Sequence, residues 1–577
     1  MIVLGVSCQH DAGAALLVDG QVVAAVNEER LNREKLFWGL PRESIRAVLK
    51  IAGVRASAID AVAISNLFAG GKVRSFAEAA KDPKCRLLDR LDRVDLLRYL
   101  LGTRAGIAAL RFAFGRLRPR HPHLTVLGRL LRGELGVRAR LTRLDHHECH
   151  AASAYYSSGW DRCTVVTFDA AGDGHCAGVY LGDRGRLRVL RRVPLYHSIA
   201  SYYALATNLC GFREGPHEGK ITGLAAFGRP DRSAVVFARE IVYDPQRRRP
   251  HNHGYWILYE LERLKAALAG LPREEIAAGI QQHTEGVAVP FVRDAIRQTG
   301  EPRVALAGGL FGNVKLNQRI RELPEVTGVW IHPHMGDGGL AVGAALALWA
   351  RRSSEPMVTR WSDVYLGPAW SPAEIETILG ETSGVRWGRA ADPEREIAEM
   401  LAAGKVVARY AGRMEYGPRA LGNRSILYQA TDPTVNDWLN KRLRRTEFMP
   451  FAPILPAEDA PHYLKDFDGR SAYAAEFMTI TYDVTERCRQ EAPAVVHVDG
   501  TARPQLVTQR GNPPVRRILE HYKALTGLAV LINTSFNMHE EPIVFSPQDA
   551  LRAFREGRLD VLVLEDFVVE RAEGDPA

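Results

Sequence analysis

The segment LDHHECHAASAYY at residues 144–156 carries the clearest chemical pattern of this sequence. His146 and His150 are four residues apart, so on a helix they share one face with Cβ atoms about 5–6 Å apart. Two imidazoles at that spacing can bind one metal ion. The alternative is a hydrogen-bonded pair of helical histidines beside a third, His147.

Two aspartates follow short apolar strands at glycine-rich turns. Asp169 ends TVVTFD before Ala-Ala-Gly-Asp-Gly, and Asp337 lies in HPHMGDGG before an apolar helix. A carboxylate at such a turn can ligate a metal, and together with His146 and His150 it would suit Fe²⁺ or another divalent ion. The alternative is that each aspartate only stabilises its turn.

Other residues of the N-terminal half are candidates for catalysis or nucleotide binding. His10, which with Asp11 follows the first strand, could take a proton from an acceptor hydroxyl, or it could be a structural capping residue. Lys35 could enter the same cleft, although its segment NEERLNREK is most simply a solvated charge run. The glycine turns and HEGK could contact a nucleotide or be ordinary polar turns. The candidate catalytic residues are His10, Asp11 and Lys35; the candidate nucleotide contacts are Gly172, Glu218, Lys220, Gly308, Gly309 and Asn313.

Arginines and small polar residues cluster in the C-terminal third, in loops bounded by glycine and proline. They lie in GRMEYGPRALGNRSIL, NKRLRRTEFMPFAP, HVDGTARPQLV and NTSFNMHEEPIV. Because arginine binds phosphate through two parallel hydrogen bonds, this pattern favours a polyphosphate site over unrelated surface arginines. The candidate phosphate contacts are Arg419, Arg424, Lys441, Arg444, Arg445, Arg503, Asn533, Ser535 and Asn537.

The elements that would position these residues indicate an α/β fold with an internal duplication. Residues 3–7 form an apolar strand, and Asp19-Gly20 predicts a hairpin between residues 14–19 and 21–26. A strand, an Asp/Gly turn and a hairpin return about 160 residues later. Such a duplicated unit is typical of the actin, Hsp70 and sugar-kinase superfold, unless the two hairpins are alike by chance. Residues 273–300 predict a long helix interrupted near Pro290.

A polar, proline-containing segment near residues 351–360 predicts a domain boundary. We expect one domain at residues 1–353, with a helical insertion at about 70–135, and a second domain at residues 361–577.

Composition excludes several classes of protein. The chain has 577 residues, a net charge of 76 − 67 = +9, and no apolar run of the ~18 residues that span a bilayer. Seven cysteines without a CxxC pair favour a cytoplasmic protein over a disulfide-rich or zinc-finger protein. The positive charge is spread out, so nucleic acid is an unlikely partner; the best basic patch is RFAFGRLRPRHPH at 111–123.

Ten ordered motifs resemble the NodU/CmcH family of O-carbamoyltransferases nearly end to end. They include HDAGAALLVDG, EER, HHECHAASA, HEGK, AGGLFGNVKLN, GDGGLAVGAA, GRMEYGPRALGNRS, PFAP, HVDGTARPQ, and NTSFN with EPIV.

The resemblance implies a TsaD-like domain of the ASKHA fold followed by a YrdC-like α/β domain. The YrdC-like domain would use ATP with Mg²⁺ and carbamoyl phosphate to form carbamoyl-adenylate. The TsaD-like domain would move the carbamoyl group to a hydroxyl of a small molecule, such as a natural product (for example an antibiotic) or a sugar, at a metal that is usually iron. The family pattern implies His146, His150, Asp169 and Asp337 as metal ligands, Asn533, Ser535 and Asn537 as the SxN-type element, and Arg444 and Arg445 as the basic element.

Two other functions stay open from the sequence. One is a carbamoyltransferase that modifies tRNA or matures hydrogenase, although the CxxC fingers usual for the latter do not occur in this chain. The other is a non-enzymatic ATP-binding protein of the actin and kinase superfold. The acceptor and the metal are also open, and so is the oligomeric state, for which a homodimer is one alternative.

Overall fold

The computed structural model describes residues 1–66, 127–254, 257–445 and 449–572. Two compact units form the chain. Unit 1 comprises Met1–Val22, Trp38–Pro41 and Gly53–Arg360, and unit 2 comprises Val23–Phe37, Arg42–Ala52 and Trp361–Ala577. Most of the predicted insertion at 70–135, and the whole basic run at 111–123, lie outside the described residues.

The first sheet of the chain has five strands in the order β3-β2-β1-β4-β5. Strand β1 is antiparallel to β2 and parallel to β4, and β4 is parallel to β5. Asp19 and Gly20, between β2 and β3, have φ angles of 46° and 87°, as the predicted hairpin turn requires. The strands are β1 Ile2–Ser7, β2 Gly13–Val18, β3 Gln21–Asn27, β4 Ala61–Ser65 and β5 Arg140–Leu144.

The second sheet repeats this arrangement with the order β8-β7-β6-β11-β12. Strand β6 is antiparallel to β7 and parallel to β11, and β11 is parallel to β12. Both sheets therefore have the same order and the same strand directions around their first strand, as the predicted duplication requires. The strands of this part of the chain are β6 Arg162–Gly172, β7 His175–Asp183, β8 Arg186–Pro194, a separate pair β9 Ile241–Asp244 and β10 Arg249–Asn252, then β11 Arg303–Ala307 and β12 Gly328–Ile331.

The apolar helix Leu340–Arg352 packs unusually closely against its neighbours in unit 1. A Cβ on Gly5 would lie 2.0 Å from the Ala341 carbonyl oxygen, and one on Gly343 would lie 1.9 Å from the Cys149 carbonyl oxygen. Glycines thus bring this helix against both β1 and the helix that contains the two histidines. The helices of unit 1 are His146–Ser157, Ile199–Leu209, Glu218–Leu224, Asp231–Glu240, Ile257–Ala267, Arg273–Thr299, Val314–Arg321 and Leu340–Arg352.

The predicted interruption near Pro290 is wrong, because the helix Arg273–Thr299 runs through this proline. Proline removes one backbone hydrogen bond from a helix. The residues on both sides of it are buried, including Val287, Ala288, Phe291 and Val292. Tertiary packing of these side chains holds the helix together where its local sequence would break it.

Among the described residues, no helix is long and apolar enough to cross a bilayer.

Unit 2 is built on a mixed eight-stranded sheet with the order β13-β22-β21-β14-β15-β20-β16-β19, beside a two-stranded pair, β17 and β18. Its strands are β13 Val385–Arg389, β14 Val407–Tyr410, β15 Arg424–Gln429, β16 Ala452–Pro456, β17 Tyr482–Asp483, β18 Thr501–Ala502, β19 Gln505–Val507, β20 Leu531–Ser535, β21 Val561–Leu564 and β22 Phe567–Arg571. Its helices are Glu28–Asn32, Arg42–Ala52, Pro372–Gly380, Pro393–Ala402, Val435–Arg442, Ala460–Tyr463, Ala472–Ala475, Glu486–Glu491, Pro513–Thr526 and Pro547–Glu556.

Two N-terminal segments, Val23–Phe37 and Arg42–Ala52, belong to unit 2. The expected domain at 1–353 had included both of them. Arg33 shows why they belong to unit 2, because its guanidinium donates to the carbonyls of Pro542 and Ile543, both at 2.7 Å. The solvated-run interpretation of NEERLNREK is wrong for Glu28 and Arg30, which are 3% and 4% exposed. Glu28 accepts hydrogen bonds from the backbone and hydroxyl of Ser44, both at 2.7 Å, at the start of a helix.

Candidate functional site

The helix His146–Ser157 begins where Asp145 caps it. The Asp145 carboxylate accepts a hydrogen bond from the backbone N–H of Glu148, which satisfies one of the free donors of the first turn. His146 and His150 both lie on the buried side of this helix, with ring centroids 4.7 Å apart. Their Nε2 atoms are 3.1 Å apart, so both rings aim at one point.

The two predicted carboxylates face the same point from other elements. Asp169 lies near the end of β6, and its Oδ2 is 3.3 Å from Nε2 of His146 and 3.1 Å from Nε2 of His150. Asp337 begins the turn before the helix Leu340–Arg352, and its Oδ1 is 3.6 Å and 3.4 Å from the same two nitrogens. The sequence separation between these groups is large, so only the fold brings them together.

These four side chains form a donor set suited to one divalent ion. One ligand atom from each lies within 4.8 Å of the others. An ion bound at about 2.1 Å would hold neighbouring donors about 3.0–3.4 Å apart, depending on whether the geometry is octahedral or tetrahedral. The observed separations between histidine nitrogens and carboxylate oxygens, 3.1–3.6 Å, match that spacing. Imidazole and carboxylate together fit Fe²⁺, Mn²⁺ or Zn²⁺ by their chemistry.

Electrostatics favour a cation at this centre. Burial alone would lower the pKa of His146, but the carboxylates of Asp337 and Asp169 outweigh it and raise that pKa to about 9. Burial also opposes ionisation of Asp169, but hydrogen bonds from His146 and His150 hold its pKa well below the usual range. The two carboxylates therefore favour a positive charge at this position.

Asn66 and Gly172 support the His146 ring, and Asn66 was missed by the sequence analysis. The Nδ1–H of His146 donates to the Oδ1 of Asn66 at 2.7 Å, which leaves Nε2 to face the carboxylates. A Cβ on Gly172 would lie 2.1 Å from Cδ2 of His146, so only glycine leaves room for the ring. The available signal for Asn66 was its position directly after the buried strand AVAIS.

The predicted catalytic residues separate into two groups. His10 and Asp11 belong to unit 1, with His10 Nδ1 3.5 Å from Asp11 Oδ2. Burial would lower the pKa of His10, but the charges of Asp11, Asp337 and Asp169 raise it. Lys35 is an exposed residue of unit 2.

Of the predicted nucleotide contacts, Gly308 and Gly309 directly follow β11 and lie against Phe168 and Asp169 of β6. A Cβ on Gly309 would lie 3.0 Å from Oδ1 of Asp169, and one on Gly308 would lie 2.3 Å from the Phe168 carbonyl oxygen. These glycines therefore let the turn approach Asp169.

Gly172, also a predicted nucleotide contact, lies against the His146 ring as described above, and three further predicted contacts have other protein partners. Asn313 caps the helix Val314–Arg321, and its side-chain amide donates to Gln281 at 2.7 Å. Glu218 accepts from the Gly215 backbone at 2.6 Å, and burial raises the pKa of its carboxyl. Lys220 is buried, with its ammonium 5.8 Å from the centroid of the Phe212 ring. None of these contacts of Asn313, Glu218 and Lys220 involves the metal candidate.

Two predicted arginines of unit 2, Arg419 and Arg503, form an uncompensated pair. Burial lowers the pKa of Arg419 to about 10, and burial together with the charge of Arg419 lowers the pKa of Arg503 well below its usual value. Asn533 lies beside them, because its amide donates to the Ala420 carbonyl at 3.1 Å and to Gln505 at 2.6 Å. Within the described ranges no carboxylate pairs with either guanidinium, so an anion would relieve their repulsion.

Arg445 joins the other predicted polar residues. Its guanidinium donates to the Ser535 carbonyl at 2.6 Å and to the Asn537 side chain at 3.2 Å. It therefore holds the segment after β20 in place. Lys441 and Arg444, on the same stretch of chain as Arg445, are exposed.

Arg424 has a structural role, which differs from the phosphate contact expected for it. Its guanidinium is fully buried and donates to the carbonyls of Ala411 and Gly412 at 2.8 and 3.0 Å. It also stacks on the ring of Tyr410, with 3.6 Å between Cζ and the ring centroid. These partners occupy the guanidinium, so we leave Arg424 out of the candidate anion site.

The chain matches two models of known protein families. One, described as carbamoyltransferase N-terminus, covers residues 2–346, and the other, carbamoyltransferase C-terminus, covers residues 398–571. A protein of Synechocystis sp. designated sll1178 is 32% identical over 99% of this chain and 96% of its own length. The nodulation protein NolNO of Sinorhizobium fredii is 31% identical over 98% of this chain and 80% of its own length. Among solved structures, HypF of T. kodakarensis has a TM-score of 0.36 and 12% identity over 61% of this chain and 48% of HypF.

Proposed function

Because the chain belongs to the carbamoyltransferase family, we propose that it is an ATP-dependent O-carbamoyltransferase acting on a hydroxyl of a small molecule. The observation that carries this proposal is the convergence of His146, His150, Asp169 and Asp337. A family member that transfers carbamoyl groups needs a centre that polarises a poorly electrophilic carbonyl, and a divalent ion held by this cluster would supply one.

The architecture is consistent with two steps of the reaction taking place in different units. In unit 1, two sheets of identical order around β1 and β6 are consistent with a duplicated ASKHA domain of the TsaD type. In unit 2, we propose a YrdC-like domain, carried by the mixed sheet and its arginine pair. We assign the domains as residues 1–353 and 361–577, except that the two N-terminal segments described above belong to unit 2.

We assign activation of the carbamoyl group to unit 2. Water would hydrolyse carbamoyl phosphate to carbamate and inorganic phosphate. A carbamate oxygen would then attack the α-phosphorus of ATP, forming carbamoyl-adenylate and expelling pyrophosphate, with Mg²⁺ on the nucleotide. Arg419 and Arg503 would bind the phosphate oxygens, because two neighbouring guanidiniums without a carboxylate partner need an anion. Asn533 would orient the carbamoyl amide from beside them.

We assign transfer to unit 1. When bound by the four ligands, a divalent ion, for which Fe²⁺ is our candidate, supplies Lewis acidity to a carbonyl. His146 is held by Asn66 with its Nε2 toward the site, and Gly172 leaves the space for its ring. His10, beside Asp11, would accept the proton of the acceptor hydroxyl.

The first half of the reaction is tested by pyrophosphate exchange. The protein is incubated with ATP, Mg²⁺, carbamoyl phosphate and labelled pyrophosphate, and we expect label in ATP only when carbamoyl phosphate is present. Arg419→Ala should abolish the exchange. Arg395→Ala is the matched control, because this arginine is 65% exposed and pairs with Glu399 in its own helix. Absence of exchange in the unaltered protein, with Fe²⁺ or Mn²⁺ added, would refute the proposal.

The second half is tested with labelled carbamoyl phosphate and a panel of hydroxyl acceptors. The panel comprises a hexose, an aminoglycoside, a nucleoside and tRNA, and we expect a labelled small-molecule carbamate. His150→Ala should lose this transfer and keep pyrophosphate exchange, whereas Arg419→Ala should lose both. Labelling of tRNA alone would replace our acceptor class by a tRNA-modifying one.

A further inference from the structure

We propose that Arg30, near the start of the sequence, is a positioning residue for the loop that carries Arg419 in unit 2. Residues 411–423 connect β14 to β15 without regular secondary structure, and residues 417–423 are the part that carries Arg419. The place of the Arg419 side chain therefore depends on how this loop is anchored. The assignment of Arg419 as an anion ligand rests on the proposed function. The anchoring itself rests on contacts within unit 2 alone.

Glu415 anchors the second half of this loop. Its side chain is 1% exposed, and its Oε1 accepts hydrogen bonds from the backbone of Leu421, Asn423 and Arg424 at 2.8, 2.9 and 3.1 Å. Three N–H groups on one carboxylate oxygen fix the chain from residue 421 onward. This clamp does not reach residues 417–420.

The first half of the loop has two anchors on either side of Arg419. The amide of Asn533 donates to the Ala420 carbonyl at 3.1 Å, and the guanidinium of Arg30 donates to the Gly417 carbonyl at 2.6 Å. Gly417 has a φ of 112°, a conformation that only glycine adopts readily. Arg30 thus fixes the point at which the chain turns toward Arg419.

Arg30 is well placed for this role because its own position is fixed. It is 4% exposed and sits in the helix Glu28–Asn32, whose neighbour Arg33 binds the carbonyls of Pro542 and Ile543. A charge-assisted hydrogen bond of this kind is roughly twice as strong as a neutral one. The EERLNR stretch is therefore part of the scaffold of unit 2, although it precedes the main segment of that unit, Trp361–Ala577, by more than 300 residues.

Loss of this hydrogen bond should lower the fraction of molecules in which the loop can bind the anion. The geometry of the complex with bound anion should stay the same. If the loop is ordered only part of the time, the apparent affinity for the anion falls by that fraction. The KM for carbamoyl phosphate should then rise while kcat changes little, because the complex that forms has the same geometry.

Limited trypsin digestion tests the anchoring, since trypsin cleaves the Arg419–Ala420 bond once the loop opens. We expect Arg30→Met to raise the rate of this cleavage about 10- to 100-fold, the range for losing a hydrogen bond to a charged group. Arg30→Lys, which keeps the charge without the planar fork, should raise it less. Arg46→Ala is the matched control, because Arg46 lies on another helix of the same N-terminal part and is 53% exposed. Cleavage at Arg419 that is equal in Arg30→Met, Arg30→Lys and Arg46→Ala would overturn the proposal.

Steady-state pyrophosphate exchange separates this inference from the proposed function. Arg30→Met should raise the KM for carbamoyl phosphate about 10-fold with kcat within about 2-fold of the unaltered protein, and Arg30→Lys should raise the KM less. An equal fall in kcat with unchanged KM would contradict a positioning role. If the unaltered protein shows no exchange, the proposed function fails, and the digestion experiment still decides whether Arg30 anchors the loop.

Discussion

Manganese(II) binding should become tighter as the pH rises toward 9, because the ion must displace a proton from His146. The carboxylates of Asp337 and Asp169 raise the pKa of His146 to about 9 in the ion-free protein. At pH 7 only about 1% of the ion-free protein then has His146 ready to bind. The dissociation constant for Mn²⁺ should therefore fall about tenfold per pH unit between pH 7 and 8 and level off above about pH 9.

Calorimetry in two buffers of different ionisation enthalpy measures the proton count directly. We expect about one proton released per Mn²⁺ at pH 7.5 and almost none at pH 10. His10→Gln is the control. Asp337 and Asp169 also raise the pKa of His10, so an ion bound beside them would lower that pKa and release a proton from His10 as well. The release from the variant should stay close to one proton. A dissociation constant that does not change between pH 6.5 and 8.5 would refute this reasoning.

The free energy of unfolding of the ion-free protein should also depend on His146, but it should decrease as the pH rises. The folded-state pKa of His146 lies above its unfolded value of 6.5, so its contribution is complete below pH 6.5 and is lost as pH rises through about 9. That contribution is on the order of 3 kcal/mol for a shift from 6.5 to about 9. The melting temperature of the ion-free protein should fall over this window, and saturating Mn²⁺ should remove most of the fall.

Four substitutions give further tests. Asn66→Ala should weaken Mn²⁺ binding about 10- to 100-fold in calorimetry while the circular dichroism spectrum is unchanged, because the His146 ring loses its orienting partner. Gly172→Ala should lower both the melting temperature and the Mn²⁺ affinity, since the new methyl group collides with that ring; an unchanged affinity would contradict the steric argument. His10→Gln should slow carbamoyl transfer about 10²- to 10⁴-fold and leave pyrophosphate exchange intact, and loss of exchange would count against its place in the second step. Arg424→Met should destabilise the protein by about 3 kcal/mol in urea unfolding, because several buried carbonyls lose their donor, whereas a change below about 0.5 kcal/mol would show that they are satisfied otherwise.

The convergence of the four side chains was predictable because its signals are local. A four-residue spacing places His146 and His150 on one helix face whatever surrounds the helix. Asp169 and Asp337 each follow an apolar strand at a glycine turn, and strand ends of a parallel arrangement meet at one edge. The Asp19-Gly20 hairpin belongs to the same class, since its two positive φ angles are written into the residue types.

The features that the sequence did not reveal depend on distant partners. Pro290 would break an isolated helix, and only burial against other elements keeps the helix continuous. Arg30 looks like part of a solvated charge run until the fold places the Gly417 carbonyl beside it. Arg424 resembles the neighbouring phosphate candidates in type and loop context, and its burial on Tyr410 sets it apart.

Anomalous X-ray diffraction from crystals grown with Mn²⁺ tests the central claim most directly. We predict one anomalous peak within bonding distance, about 2.0–2.3 Å, of Nε2 of His146, Nε2 of His150 and a carboxylate oxygen each of Asp169 and Asp337. The same peak should disappear in His150→Ala. Crystals grown at a saturating concentration of Mn²⁺ that show no anomalous density between these four side chains would contradict the account.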